Sequence, residues 1–113
     1  MHELALTQSI VELVVDRALR EGMRAVTRVE LEVGAASGVE PEALRFCFDA
    51  VTRETAAEGA VLDIREQPLR GRCRDCGLVF DLAGLAAPCP QCHAYAPTVL
   101  GGRQLRVTFF EGH

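Results

Sequence analysis

Apolar residues return every three or four positions near the start of the chain. Leu6, Ile10, Leu13, Val14 and Ala18 fall on one side, with Glu12, Asp16 and Arg20 opposite. That period predicts an amphipathic helix over residues 4–21, with Gly22 as its stop. Arg28-Val-Glu-Leu-Glu-Val33 then alternates, with Val29, Leu31 and Val33 on one face, which predicts a half-buried strand. Gly34 to Gly38 is small and turn-prone, and Pro41 suits the first turn of a second helix. Leu44, Cys47, Phe48 and Val51 make its apolar stripe. Ala60, Leu62 and Ile64 alternate in a second strand that stops near Pro68. Leu105, Val107 and Phe109 do the same in a last strand after Gly101-Gly102.

All three main strands have one apolar and one polar face, so both helices are expected to cover the same side. The predicted fold is α+β, a three-stranded sheet with two helices on one face, built from residues 1–69 and 100–113. Residues 70–99 form an inserted cysteine-rich lobe, in which Leu78 to Leu82 is a candidate short strand. A chain of 113 residues makes one or two small units. A lobe of this size has almost no core of its own and needs another source of stability.

Cys73-Arg-Asp-Cys76 and Cys89-Pro-Gln-Cys92 supply that source. Two C-x2-C turns at this separation can place four thiolates tetrahedrally around one metal ion. Structural zinc, a rubredoxin-like iron site and a disulfide-bonded loop all use such a set. Zinc is favoured, because a reducing compartment keeps thiols free and Zn²⁺ suits Cys₄. No secretory signal or membrane span is read from the sequence, so the expected location is cytoplasmic. His93 occupies a knuckle position that favours glycine. It is read as a permissive replacement, a hydrogen-bond donor to a thiolate, or an alternative metal ligand.

The formal charge is −4. Four thiolates around one Zn²⁺ take it to about −6, which argues against nucleic acid as a partner. Every basic side chain is arginine, and Arg65, Arg70, Arg72 and Arg74 surround the first hook. They are read as solvating the lobe and offsetting its thiolate charge, or else as a docking patch for an acidic partner. Cys47, on the stripe of the second helix, reads as a small core residue. The sequence has no phosphate-loop, dinucleotide or H-E-x-x-H pattern, and four thiolates leave no open metal position, so no enzyme is expected. His113, at the chain end, is expected to be disordered.

His2 differs because of where it sits. Beside a free amino terminus, its ring nitrogen, its own amide nitrogen and the terminal amine can reach one ion. The amide of Glu3 adds a fourth nitrogen, a set suited to square-planar Ni(II) or Cu(II). Taken alone, an N-terminal histidine is more often simply solvated.

Met1-His2-Glu3-Leu4 at a helix start, the two dithiol hooks and the Gly102-Arg-Gln-Leu-Arg-Val107 strand together resemble the HypA/HybF hydrogenase nickel-incorporation proteins. The resemblance extends to Val29-Glu-Leu-Glu-Val-Gly34 and Pro41-Glu-Ala-Leu-Arg-Phe46. It implies a nickel-binding α/β domain plus a structural zinc domain. It also implies a chaperone that carries Ni(II) as cargo to the hydrogenase large-subunit precursor, working with a HypB-type GTPase. Some members of the family also serve urease maturation. On this resemblance His2 is the main nickel ligand, with Met1 and Glu3 giving nitrogens and Glu40 a further candidate. Cys73, Cys76, Cys89 and Cys92 match the zinc ligands. The competing expectation is a zinc-ribbon module bound to RNA or the transcription machinery; the acidic charge counts against it.

Overall fold

The first helix, α1, runs from His2 to Arg20 in the computed structural model, which describes residues 2–82, 87–95 and 97–113. Its buried face is Thr7, Val11, Val14 and Ala18. The predicted stripe is therefore rotated: Leu6 and Ile10 are half-buried, and Leu13 is 61% exposed. The helix is apolar over much of its circumference, so the period locates a helix without deciding which side turns inward. Gly22, at φ +78°, ends it as expected.

Strand β1 spans Val26–Gly34, helix α2 spans Pro41–Val51, and strand β2 spans Val61–Gln67. Proline opens α2, and Glu40 precedes it as N-cap, its carboxylate accepting from the Glu42 amide at 3.3 Å. Leu44, Cys47 and Phe48 are buried, which places Cys47 in the core as read. Three short strands follow, β3 (Arg70–Arg72), β4 (Val79–Asp81) and β5 (Thr98–Gly101), and then β6 (Leu105–Gly112).

The strands make two three-stranded sheets, ordered β2-β1-β6 and β4-β3-β5. In the first, central β1 buries Val26, Val29, Leu31 and Val33 to 2% exposure or less. Val26, Val29 and Leu31 form the core with the buried stripes of α1 and α2, and the two helices pack on each other. Each such side chain stabilises the fold by roughly 2 kcal/mol. The other face of the sheet is a lattice of charges. Arg28 reaches Asp63 at 2.6 Å, Arg65 joins Asp63 to Glu30, and Arg106 pairs with Glu32 at 3.2 Å. Arg65 is thus engaged in this sheet rather than around the first cysteine hook.

Two expectations for the end of the chain need correction. Phe109 is 41% exposed, and its ring lies 5.9 Å from the Arg28 guanidinium, so the inward alternation does not extend to it; Phe110 is half-buried instead. His113 is tied down by its backbone. Its N–H donates to the Ala25 carbonyl at 2.9 Å, and its own carbonyl accepts from the Arg24 and Ala25 amides.

Chain contacts divide the molecule into two compact units. One holds residues 1–32, 39–65 and 106–113; the other holds 33–38 and 66–105. In the second unit, β3 pairs antiparallel with both neighbours, Gly71 facing Phe80 and Val99. A Cβ on Gly71 would stand 2.9 Å from the Leu82 side chain, which would have to shift to admit it. At the base of the unit the backbones of Gly34 and Gly102 are in direct contact. A Cβ on Gly34 would fall 2.3 Å from the Gly102 carbonyl. The Gly34 amide donates to Gln104, Ala35 to Gln67 and Ala36 to Gly102, at 2.6 to 2.8 Å. Among the described residues, no helix is long and apolar enough to cross a membrane.

Candidate metal centres

Each cysteine hook is a tight turn closed by its own backbone. In the first, the Cys73 amide donates to Leu78 and the Gly77 amide returns to the Cys73 carbonyl. In the second, the Cys89 amide donates to Ala94 and the His93 amide returns to Cys89. Gly77 and His93 therefore hold equivalent places, and both are left-handed, at φ +79° and +65°. Histidine at this position is a replacement within an unchanged turn, and its side chain is exposed.

The two turns bring four sulfurs together. Sγ of Cys73 lies 3.4 Å from that of Cys92, and Cys76 lies 3.6 Å from Cys89, with all four within 4.8 Å of one another. A tetrahedral ion with sulfur bonds of about 2.3 Å sets its ligands about 3.8 Å apart, so the donor set fits such an ion. Cys73 and Cys89 are buried, while Cys76 and Cys92 face solvent. Backbone amides point at the buried pair: Cys76 N–H at Cys73, and Gln91 and Cys92 N–H at Cys89, at 3.4 to 3.5 Å. The Cys76 amide, helped by Asp75 and Cys92 and opposed by burial, brings the Cys73 thiol down to about 6. At Cys92 the Ala94 amide pulls downward, yet Cys73, burial and the other two thiols outweigh it and push the group up to about 12. Without a cation, four thiolates cannot share this space; a bound metal ion removes the conflict. Among the described residues this is the only cluster of three or more such side chains with metal-binding geometry.

The residues expected to take nickel lie elsewhere. Met1 is outside the described residues. His2 begins α1 with its imidazole 58% exposed, and Nε2 lies 3.5 Å from Glu3 Oε2. The same Glu3 oxygen accepts from the Glu40 amide at 3.4 Å. The Glu3 carboxyl is held below its usual range by its own amide, then by the Glu40 amide and His2, against the cost of burial. Glu40 thus reaches the His2 neighbourhood through its backbone, while its carboxylate caps α2. Sequence reasoning missed one partner here. The Thr7 hydroxyl, buried on the inner face of α1, donates to the Glu3 carbonyl at 2.6 Å. The available signal was a lone hydroxyl at the head of the Thr7-Val11-Val14-Ala18 register.

A family model described as "Hydrogenase/urease nickel incorporation, metallochaperone, hypA" matches residues 1–112. Curated relatives agree along the whole chain. "Hydrogenase maturation factor HypA" of Geobacter metallireducens is 48% identical over 111 residues, covering 98% of each chain. The protein of the same name from Chlorobaculum tepidum is 44% identical over 110 residues, covering 97% of each. Among solved structures, the solution structure of the Ni metallochaperone HypA from Helicobacter pylori superposes with a TM-score of 0.67 at 23% identity, covering 97% of this chain and 96% of that one. A second, "Solution structure of HypA protein", gives 0.73 at 24%, covering 100% and 97%. These two show the shared α+β fold, and the family match and the curated relatives carry the rest: the chain belongs to the HypA family of hydrogenase and urease nickel-incorporation metallochaperones.

Proposed function

We propose that this chain captures Ni(II) at Met1-His2-Glu3 and passes it to the precursor of the [NiFe]-hydrogenase large subunit. It works in the cytoplasm with a HypB-type GTPase, and does no covalent chemistry itself. Urease maturation proteins are a second destination of the same cargo. The nickel donors are the His2 imidazole, the amides of His2 and Glu3 and the terminal amine, with Glu40 as a further oxygen. The lobe taken as 70–99 holds one structural Zn²⁺ on Cys73, Cys76, Cys89 and Cys92, a closed shell suited to shape rather than catalysis.

What carries the nickel reading is the exposed imidazole on the first residue of α1. The first amides of a helix have no intrahelical acceptor, so donors of the proposed chelate are groups that the helix leaves unused. The positive end of the helix dipole eases loss of amide protons but opposes a cation. Glu3 offsets that opposition only in part. Such a balance suits cargo that has to be released.

The test is equilibrium Ni(II) titration of the zinc-loaded protein with its native terminus, with one glycine added before Met1, and with one alanine inserted between Met1 and His2. Extension displaces the anchoring amine, so affinity is expected to fall steeply; insertion changes the chelate and shifts the nickel absorption spectrum. Equal affinity and identical spectra in all three would rule out terminal-amine coordination.

A further inference from the structure

We propose that Thr7 is a positioning residue for nickel capture, its hydroxyl holding the first turn of α1 in the torsion range that the chelate needs. The proposal rests on the assignment of nickel to Met1-His2-Glu3 and explains how that tripeptide is presented.

The argument starts from ring geometry. When two successive backbone nitrogens bind one metal, the ring they close contains N, Cα, C and the next N, and its internal torsion is the backbone ψ. A ring of that size requires ψ close to the syn-planar arrangement. A helical residue, with ψ near −42°, is a modest rotation away, whereas a strand residue, with ψ near +135°, points its two nitrogens apart. His2 is helical in this structure. The start of α1 therefore presents the amide nitrogens of His2 and Glu3 already on one side.

Helix ends fray, and a frayed terminus loses that arrangement. Here fraying meets an obstacle at Glu3. Thr7 is 2% exposed, and its position on α1 is otherwise continued by Val11, Val14 and Ala18, so its hydroxyl sits on an apolar face. A hydroxyl buried there needs an acceptor, and the Glu3 carbonyl serves at 2.6 Å. The bond adds to the helix's own ladder in holding the Glu3–Leu4 peptide plane; ψ of Glu3 lies one residue beyond the His2 torsion that closes the ring, so the hydroxyl acts on the chelate through the continuity of the first turn. On its other side Glu3 is held through its carboxylate by the Glu40 amide. The tripeptide is thus anchored at its C-terminal residue, Glu3.

A packing role alone predicts something different from a positioning role, and the two separate experimentally. Thr7→Val keeps the shape and removes a buried polar group, so the thermal midpoint of the zinc-loaded protein should hold or rise. Nickel affinity should nevertheless fall, by up to about fivefold if the whole worth of one intramolecular hydrogen bond goes into pre-organising the chelate. The nickel absorption bands should stay in place, because the donors are the same. Thr7→Ser restores the hydroxyl and should restore the affinity. Thr7→Ala removes the same hydroxyl but leaves a gap, so it should lower the midpoint and weaken nickel to the same extent as valine. His2→Ala, titrated beside them, tests the underlying assignment: if it binds nickel like the unmodified protein, the site itself is wrong. If His2→Ala loses nickel while Thr7→Val and Thr7→Ala bind it normally, the assignment stands and the role of Thr7 is refuted. Loss of nickel in strict proportion to lost stability or zinc content also refutes it.

Discussion

Replacing His93 by glycine should strengthen the metal lobe, although it removes an entire side chain. The backbone at His93 has φ +65°, and the matching position in the first hook is Gly77 at +79°. A side chain in the left-handed region costs about 1–2 kcal/mol, less for residues that tolerate it, and histidine is among these. Glycine removes that strain but adds about 0.4–1 kcal/mol of chain entropy lost on folding. The His93 side chain is exposed, so little packing is given up. The net gain is at most about 1 kcal/mol. Since folding of a small metal lobe and binding of its ion are one equilibrium, this should appear as a zinc affinity tighter by up to about fivefold in a chelator competition. Gly77→Ala is the mirror experiment: a Cβ there has open space around it, so its loss of affinity would report backbone strain alone. If His93→Gly weakens zinc, or changes the metal shell seen by X-ray absorption, the imidazole is contributing to the site and the strain argument fails.

Three further outcomes follow from the geometry. Cys73→Ala should abolish zinc binding and most structure in the second unit while leaving the helical signal, because α1 and α2 belong to the other unit; loss of far-ultraviolet helicity would show that the units do not fold separately. Zinc uptake near pH 7 should release fewer than four protons, and calorimetry in buffers of differing ionisation enthalpy counts them. In the metal-free lobe, Cys73 at about 6 contributes stability that is present above its ordinary 9.0 and lost as pH falls through 6. Cys92 at about 12 does the reverse, contributing below 9.0 and losing that as pH rises through 12. Where the metal-free lobe keeps its fold, Cys73 is ionised before zinc arrives and Cys92 is not; release of all four protons would show that the lobe is unfolded without its ion, and release of none would contradict thiol ligation. Gly34→Ala should cost at least about 2 kcal/mol in urea denaturation, since its Cβ would meet backbone that cannot give way; an unchanged midpoint would mean that the Gly34–Gly102 contact is not obligatory.

The sequence announced those elements whose side chains repeat. The period of α1, the alternation of β1 and the Pro41 start of α2 all led to real elements within a few residues. So did the four-cysteine cluster, whose spacing is itself the geometry. What escaped was built from backbone. Arg70-Gly71-Arg72 has no apolar residue and is too short to show a pattern, yet it is the central strand of the second sheet. The tie between His113 and Ala25, and the contact of Gly34 with Gly102, involve amides and carbonyls that every sequence contains. Phe109 followed the alternation in type but found Arg28 on the polar side. At the amino terminus, His2 stood out through the donors that its place beside the terminal amine brings together, and the family resemblance gave that set its weight. Nothing in residues 1–7 by themselves said that the Thr7 hydroxyl would close on Glu3.

The order of the first sheet also bears on how the chain is made. Its central strand, β1, is finished by residue 34, but its neighbour β6 begins only at residue 105. The Thr108 hydroxyl that reaches Glu30 lies 78 positions further along the chain. On a ribosome, residues 26–34 would wait with one edge unpaired while the whole cysteine-rich segment is synthesised, a slow closure of the kind that long-range strand pairing imposes. The four cysteines, all before residue 93, can meet their metal before that closure. The time taken to synthesise residues 35–104 would then set how long an unpaired edge is exposed, and slowed elongation through that segment should raise the yield of aggregate formed during synthesis rather than by unfolding of finished molecules.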